Sequence, residues 1–157
     1  MTGSDLLAAC GLYCGACYHY RASFPESAHL LAPEHRGGRP LQGYTCRGCR
    51  SGQLYSHAGC AECQIRACAE EQGLLHCGEC ERFASPTSRC ERLLAFRDDG
   101  HVHHLSIMKQ LAQLKRKGAE QWLADQAERW TCACGQPFSW LERRCSRCGA
   151  LVPGYER

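Results

Sequence analysis

No stretch of this 157-residue chain approaches the ~20 consecutive apolar residues that a membrane-spanning helix needs, so no membrane span is expected. It also lacks a glycine-rich phosphate loop and a Ser/His/Asp set in any recognisable order, so we assign no catalytic residue and the expectation leans away from an enzyme without deciding it. Met1-Thr2-Gly3-Ser4-Asp5 has no basic lead, and only Leu6 to Ala9 is apolar after it. That is not the pattern of a secretory leader, and the chain is expected in the cytoplasm. Apolar residues make up 44%, but this figure counts the cysteines; without them about a third of the chain remains to build a core. Such a core is small, and glycine-rich loops around it need another source of order.

Cysteine supplies that source. Fifteen of the 157 residues are cysteine, well above ordinary usage. Most stand in local pairs: Cys14-x2-Cys17, Cys46-x2-Cys49, Cys60-x2-Cys63, Cys77-x2-Cys80, Cys132-x-Cys134 and Cys145-x2-Cys148, with Cys10, Cys68 and Cys90 beside them. Disulfide frameworks join distant segments, whereas these spacings concentrate several sulfurs where one ion or cluster can take them. Metal ligation is therefore expected at all fifteen positions. The formal charge of +3 assumes neutral thiols. Fifteen thiolates (−15) around four divalent ions (+8) would take it to about −4. The basic balance then gives no support to nucleic-acid binding.

The chain divides into three segments by pattern. Residues 1–97 form an irregular cysteine-rich domain with short helices: a turn after Cys17, another before Pro33, a helix from Cys60 to Gln72 stopped by Gly73, and one from about Arg89 to Arg97 behind a Ser88/Glu91 capping box. His35 to Gly43 reads as a loop. Residues 101–130 contain no cysteine and read as a helical hairpin. Ile107, Met108, Leu111 and Leu114 line one face of its first helix, opposite Lys109, Gln110, Gln113 and Lys115. Gly118 ends that helix, and Trp122, Leu123, Ala127 and Trp130 form the apolar side of the second. Residues 131–157 carry two glycine-backed knuckles, Cys132/Cys134 and Cys145/Cys148, joined through a hairpin containing Phe138 and Trp140. This is a zinc-ribbon pattern with four sulfurs for one tetrahedral zinc. The expected fold is a small metal-stabilised α+β protein.

The eleven remaining cysteines leave two cofactors open. Three tetrahedral zinc sites need twelve ligands, and His19, His57 or His76 would complete the set. Alternatively, Cys10, Cys14 and Cys17 with one remote thiol would hold an iron–sulfur cluster for electron transfer or redox sensing. Their spacing also occurs in radical S-adenosylmethionine enzymes, but this chain has neither the length nor the alternating strands and helices of that barrel. His101, His103 and His104 read as solvated surface, and the Trp122/Trp130 stripe as core.

Several motifs together resemble a cysteine-rich bacterial and archaeal family catalogued as a domain of unknown function. They are Cys10-Gly-Leu-Tyr-Cys14-Gly-x-Cys17-x-x-Tyr20, Cys46-x-Gly-Cys49, Cys60-x-x-Cys63-x-Ile65-Arg66-x-Cys68 and Cys77-Gly-Glu-Cys80 with Phe83. The tail from Gly118 through Trp122-Leu123 to Trp130-x-Cys132 is similar to the hairpin and ribbon of longer members. Members follow Cys80 with a compact aromatic-Pro-Cys group, whereas here Phe83, Pro86 and Cys90 are spread apart. The resemblance implies a cytoplasmic metal-binding protein. Our functional expectation is a zinc-held module that binds another protein, with the iron–sulfur and nucleic-acid readings as alternatives.

Overall fold

A computed structural model describes residues 3–31, 46–52, 58–85 and 89–153. The protein is mostly helical with little strand. Seven α-helices are present among the described residues: α1 (Tyr18–Arg21), α2 (Ala58–Ala61), α3 (Gln64–Glu71), α4 (Glu81–Ala84), α5 (Glu91–Arg97), α6 (Ile107–Lys117) and α7 (Ala119–Arg129). Short 3-10 turns at Gly3–Leu6, Cys14–Ala16, Pro25–Leu30, Cys77–Glu79 and Val102–Ser106 connect or precede them. The β component of the expected α+β fold is confined, among the described residues, to three isolated antiparallel bridges: Leu7 with Tyr13, Thr131 with Pro137, and Arg144 with Leu151. No described helix is long and apolar enough to cross a membrane.

The hairpin helices form for the reason their pattern gave. Ile107, Leu111 and Leu114 recur at helical spacing, and all three are fully buried. Gly118, at φ +82, stops α6 and lets α7 begin at once. Two polar positions depart from the expected pattern. Gln110, placed on the outer face, is buried because its Oε1 accepts the indole N–H of Trp122 across the hairpin at 3.3 Å. Gln126, rather than Ala127, faces inward and accepts from Trp130 Nε1 at 3.2 Å. An indole taken out of water needs an acceptor, and glutamine is long enough to supply one within the same stripe. Each tryptophan then removes about 150–250 Å² from water, worth ~4–6 kcal/mol before entropy is subtracted.

One apolar cluster extends from Leu7 to Val152 and includes Leu93, Ile107, Leu111, Leu114, Trp122, Trp130 and Phe138. Tyr13 meets Trp122 edge-to-face at 6.3 Å, and Trp130 meets Phe138 the same way at 5.6 Å. The stretch around Cys10–Cys17 lies at its centre and is tied by backbone to two remote segments. The Cys77 N–H donates to the Ala9 carbonyl at 2.8 Å, and the Trp140 N–H donates to the Ala16 carbonyl at 3.2 Å.

Two helix boundaries differ from expectation. The single helix expected over Cys60–Gln72 is broken: α2 ends at Ala61, Cys63 is extended (φ −62, ψ 106), and α3 begins at Gln64. Cys63 becomes the N-cap of α3, with extended backbone where a continuous helix would have run on. The helix expected from His104 begins instead at Ile107, behind a 3-10 turn. His35–Gly43, His57 and Ser88 lie outside the described residues.

Candidate metal centres

The tightest thiol group is built from two turns near the C-terminus. The Cys132 N–H donates to the Gln136 carbonyl at 2.9 Å, and the Gly135 N–H returns to the Cys132 carbonyl at 2.8 Å, closing the first turn. The second turn repeats this: the Cys145 N–H donates to the Ala150 carbonyl at 2.8 Å and the Gly149 N–H to the Cys145 carbonyl at 2.9 Å. The two turns bring all four Sγ atoms of Cys132, Cys134, Cys145 and Cys148 within 4.8 Å of one another. Cys132 and Cys148 are 3.7 Å apart, and Cys134 and Cys145 are 3.6 Å apart. A tetrahedral ion with ~2.3 Å bonds to sulfur holds its ligands about 3.8 Å from each other, so one metal ion fits with little movement. The Cys148 backbone N–H, aided by that of Arg147, pulls the Cys145 thiol down to about 7 against the effect of burial. The one-residue spacing of Cys132 and Cys134 does not prevent convergence, because each reaches a different cysteine of the second turn.

The eleven N-terminal thiols are arranged differently. None is exposed, and all fifteen cysteines of the chain are free of disulfides. Cys14–Ala16 and Cys77–Glu79 are each one 3-10 turn closed by the next cysteine. The Cys17 N–H donates to the Cys14 carbonyl at 2.9 Å, and the Cys80 N–H to the Cys77 carbonyl at 3.2 Å. Cys17 and Cys80 are extended and cap α1 and α4; Cys63 and Cys90 cap α3 and α5 in the same way. In both CysGly turns the preceding ring covers the glycine. A β-carbon on Gly15 would fall 2.3 Å from the Tyr13 ring, and one on Gly78 would fall 2.9 Å from His76 Nδ1. These stretches are an internal repeat that sequence reading missed. Gly11 to Cys17 followed by Tyr20 matches Gly73 to Cys80 followed by Phe83, with one extra residue in the second copy. The signal available was an aromatic residue three positions after each second cysteine.

Within this region Cys10, Cys14, Cys17, Cys46, Cys49, Cys60 and Cys63 form one neighbourhood. The Cys49 backbone N–H donates to Cys14 Sγ at 3.4 Å, and a hydrogen bond between the two thiols pushes Cys14 up and Cys49 down. The Cys46 N–H is held by Ser23 Oγ at 2.7 Å. Burial, then the nearby Cys49, raises Cys10 and Cys17 well above an ordinary thiol and Cys60 to about 11. The remaining four, Cys68, Cys77, Cys80 and Cys90, line a hollow of about 800 Å³, and Cys77 also lies near Cys10 and Cys63 of the first group. Burial, followed by Cys90, Cys68 and Cys80, raises Cys77 to about 12. Cys90 thus lies beside the second knuckle despite its offset from the compact family pattern. Among the described residues no three of these eleven sulfurs come within 4.8 Å of one another.

Of the three histidines expected as solvated surface, His101 is exposed and the other two are not. His104 is buried and stacked on Phe96 at 3.8 Å, and His103 lies flat against Trp140 at 4.6 Å; His101 alone is exposed. Asp99 joins His101 Nδ1 at 3.0 Å and His104 Nδ1 at 2.8 Å, so these three donors lie close enough to hold a cation. The aromatic partners Phe96 and Trp140 make burial of the imidazoles favourable. Of the histidines considered as thiolate partners, His19 and His76 are buried and His57 lies outside the described residues.

A family model described as "Protein of unknown function (DUF3795)" matches residues 6–95, more than half of the chain and all eleven N-terminal cysteines. No curated protein and no solved structure matches the chain.

Proposed function

Since the chain belongs to the DUF3795 family, we propose that it is a metal-held cytoplasmic protein whose cysteine sites fix a rigid surface for binding another protein. The observation that carries this is the convergence of Cys132, Cys134, Cys145 and Cys148 at tetrahedral spacing. In this reading the two turns are a zinc ribbon holding one zinc. The ion is closed in by four protein ligands, which is the arrangement of structural rather than catalytic zinc. Structural zinc supplies an apparent ~10–16 kcal/mol at pH 7, comparable with the ~5–15 kcal/mol stability of a whole domain. Residues 1–97 form the cysteine-rich domain, 101–130 the helical hairpin that supports it, and 131–157 the ribbon. The eleven N-terminal cysteines are further metal ligands.

Leu141 and Leu151 support the partner reading. They are 42% and 73% exposed on the segment that the ion would hold, and Leu105 is 57% exposed. Leucines fixed outward on a metal-locked turn offer a preorganised apolar contact, which lowers the entropic cost of association. The reduced thiols fit a cytoplasmic setting. Nucleic-acid binding is the weaker reading because thiolates leave the loaded chain acidic.

The test is metal analysis of the purified chain followed by affinity enrichment. About one zinc per chain should depend on Cys134, and a specific partner should be enriched by wild type and lost by Cys134→Ser and Leu151→Ser. Zinc content unchanged in Cys134→Ser, or partners retained equally by all three proteins, would end this reading.

A further inference from the structure

We propose that Cys68, Cys77, Cys80 and Cys90 together bind a polynuclear iron–sulfur cluster of the [4Fe–4S] type. The inference rests on the reading above that the N-terminal thiols are metal ligands, and it assigns four of them to one site and one class of cofactor.

Two sulfur spacings in the same molecule carry it. At the C-terminal turns four sulfurs already stand at the edges of a one-ion tetrahedron. Around the hollow four cysteines line one space, yet no three of their sulfurs approach within 4.8 Å. They cannot drift together easily, because each is fixed by a different element. Cys68 lies within α3, Cys77 opens its 3-10 turn, and Cys80 and Cys90 lead into α4 and α5. A single ion must draw its ligands into contact with itself. An iron–sulfide core instead stands between its thiolates and reaches each through its own iron. A wide set of thiols around about 800 Å³ therefore suits the larger core.

The lining has the matching charge. Four thiolates with a [4Fe–4S] core of charge 2+ carry a net 2−, and the hollow is lined by Arg82, Arg89 and Arg92 beside Glu71 and Glu91, a positive excess of one. Gln72 Nε2 donates to Cys68 Sγ at 3.0 Å, the kind of N–H···S contact that tunes such clusters. In assembly a preassembled cluster is transferred from donor thiolates: each donor Fe–S bond breaks as a bond to one of the four cysteines forms, the four thiol protons pass to the departing thiolates, and no electrons change hands.

The experiment uses the full chain purified without oxygen, with iron, acid-labile sulfide and zinc counted per chain. Wild type should carry at least about four irons and four sulfides beside about one zinc. Cys77→Ser and Cys90→Ser should each lose about four irons and four sulfides and keep the zinc. Gln72→Leu changes an exposed side chain and should fold normally. It should leave the iron count intact and move the cluster potential to a more negative value, because the reduced state loses an N–H donor.

Wild type that holds zinc alone, even after anaerobic reconstitution with iron and sulfide, overturns the cluster and leaves the zinc-held module standing. A full iron count in both serine variants, or an unmoved potential in Gln72→Leu, overturns the assignment to these four thiols. Wild type that holds no metal at all overturns both readings.

Discussion

Replacing Gly11 by alanine tests whether α6 is what presses the first knuckle into place. Gly11 has φ +85, and a β-carbon there would lie 2.7 Å from Leu111 Cγ and 2.9 Å from Cδ2. Alanine therefore meets two separate penalties. The left-handed backbone costs about 1–2 kcal/mol for a residue with a side chain. The overlap forces Leu111 off its rotamer in a core where it is fully buried, costing roughly 1–3 kcal/mol more. Gly52→Ala isolates the first penalty, since Gly52 has φ +70 and nothing within 4 Å of its β-carbon. The prediction is a loss of ~2–5 kcal/mol for Gly11→Ala against ~1–2 for Gly52→Ala, read from thermal unfolding at fixed free metal, because bound metal shifts the midpoint. A Gly11→Ala/Leu111→Ala double variant should be less destabilised than the sum of its singles, since the smaller side chain vacates the space that alanine enters. Equal losses in Gly11→Ala and Gly52→Ala, with a strictly additive double variant, would refute the proposed packing of α6 on the knuckle.

Three further outcomes are expected. His103 is held down to about 3 by burial, helped by His104 and His101, against an ordinary value near 6.5. Its folded form is neutral and the unfolded chain takes the proton first, so its contribution is complete above pH 6.5 and is lost as pH falls toward 3. After discounting for the ring's partial exposure, wild type should lose ~1–2 kcal/mol more than His103→Phe between pH 7 and 5, measured by thermal unfolding of both; parallel curves would contradict this. Gln110→Leu strands the Trp122 indole N–H and should cost about 1–3 kcal/mol, while Gln113→Leu on the more open face should cost under about 0.5. Zinc uptake by the C-terminal turns should release roughly three to four protons at pH 7, the number being reduced by the already lowered Cys145. Affinity measured by chelator competition should then fall by about three to four orders of magnitude per pH unit below neutrality, and a flat profile would rule out thiolate ligation there.

The parts legible in the sequence are those set by neighbours along the chain. The Cys-x-x-Cys spacings gave the knuckles, and Gly118 with the Ile107/Leu111/Leu114 stripe gave the hairpin. The Cys132/Cys134 and Cys145/Cys148 pairs were named together, and they converge. What stayed hidden depends on contacts between distant segments. Nothing local to Cys90 says that α5 will place it beside Cys77, and nothing local to Cys49 says that it will hydrogen-bond Cys14. The extended backbone at Cys63 overrides a helical pattern, and nothing local in the sequence signals that break. His103 and His104 look like surface until Trp140 and Phe96 are brought against them.

The two backbone bonds that tie the first knuckle to remote segments also order its assembly in time. Ala16 emerges from the ribosome early, but its carbonyl waits for Trp140, more than a hundred residues later. At about 5–20 residues per second that delay is roughly 6 to 25 seconds. Throughout it Cys10, Cys14 and Cys17 belong to a nascent chain with an unfinished core, open to delivery of metal and equally to oxidation. Arrival of the last segment ends both, so this protein should be loaded during its synthesis and resist exchange afterwards.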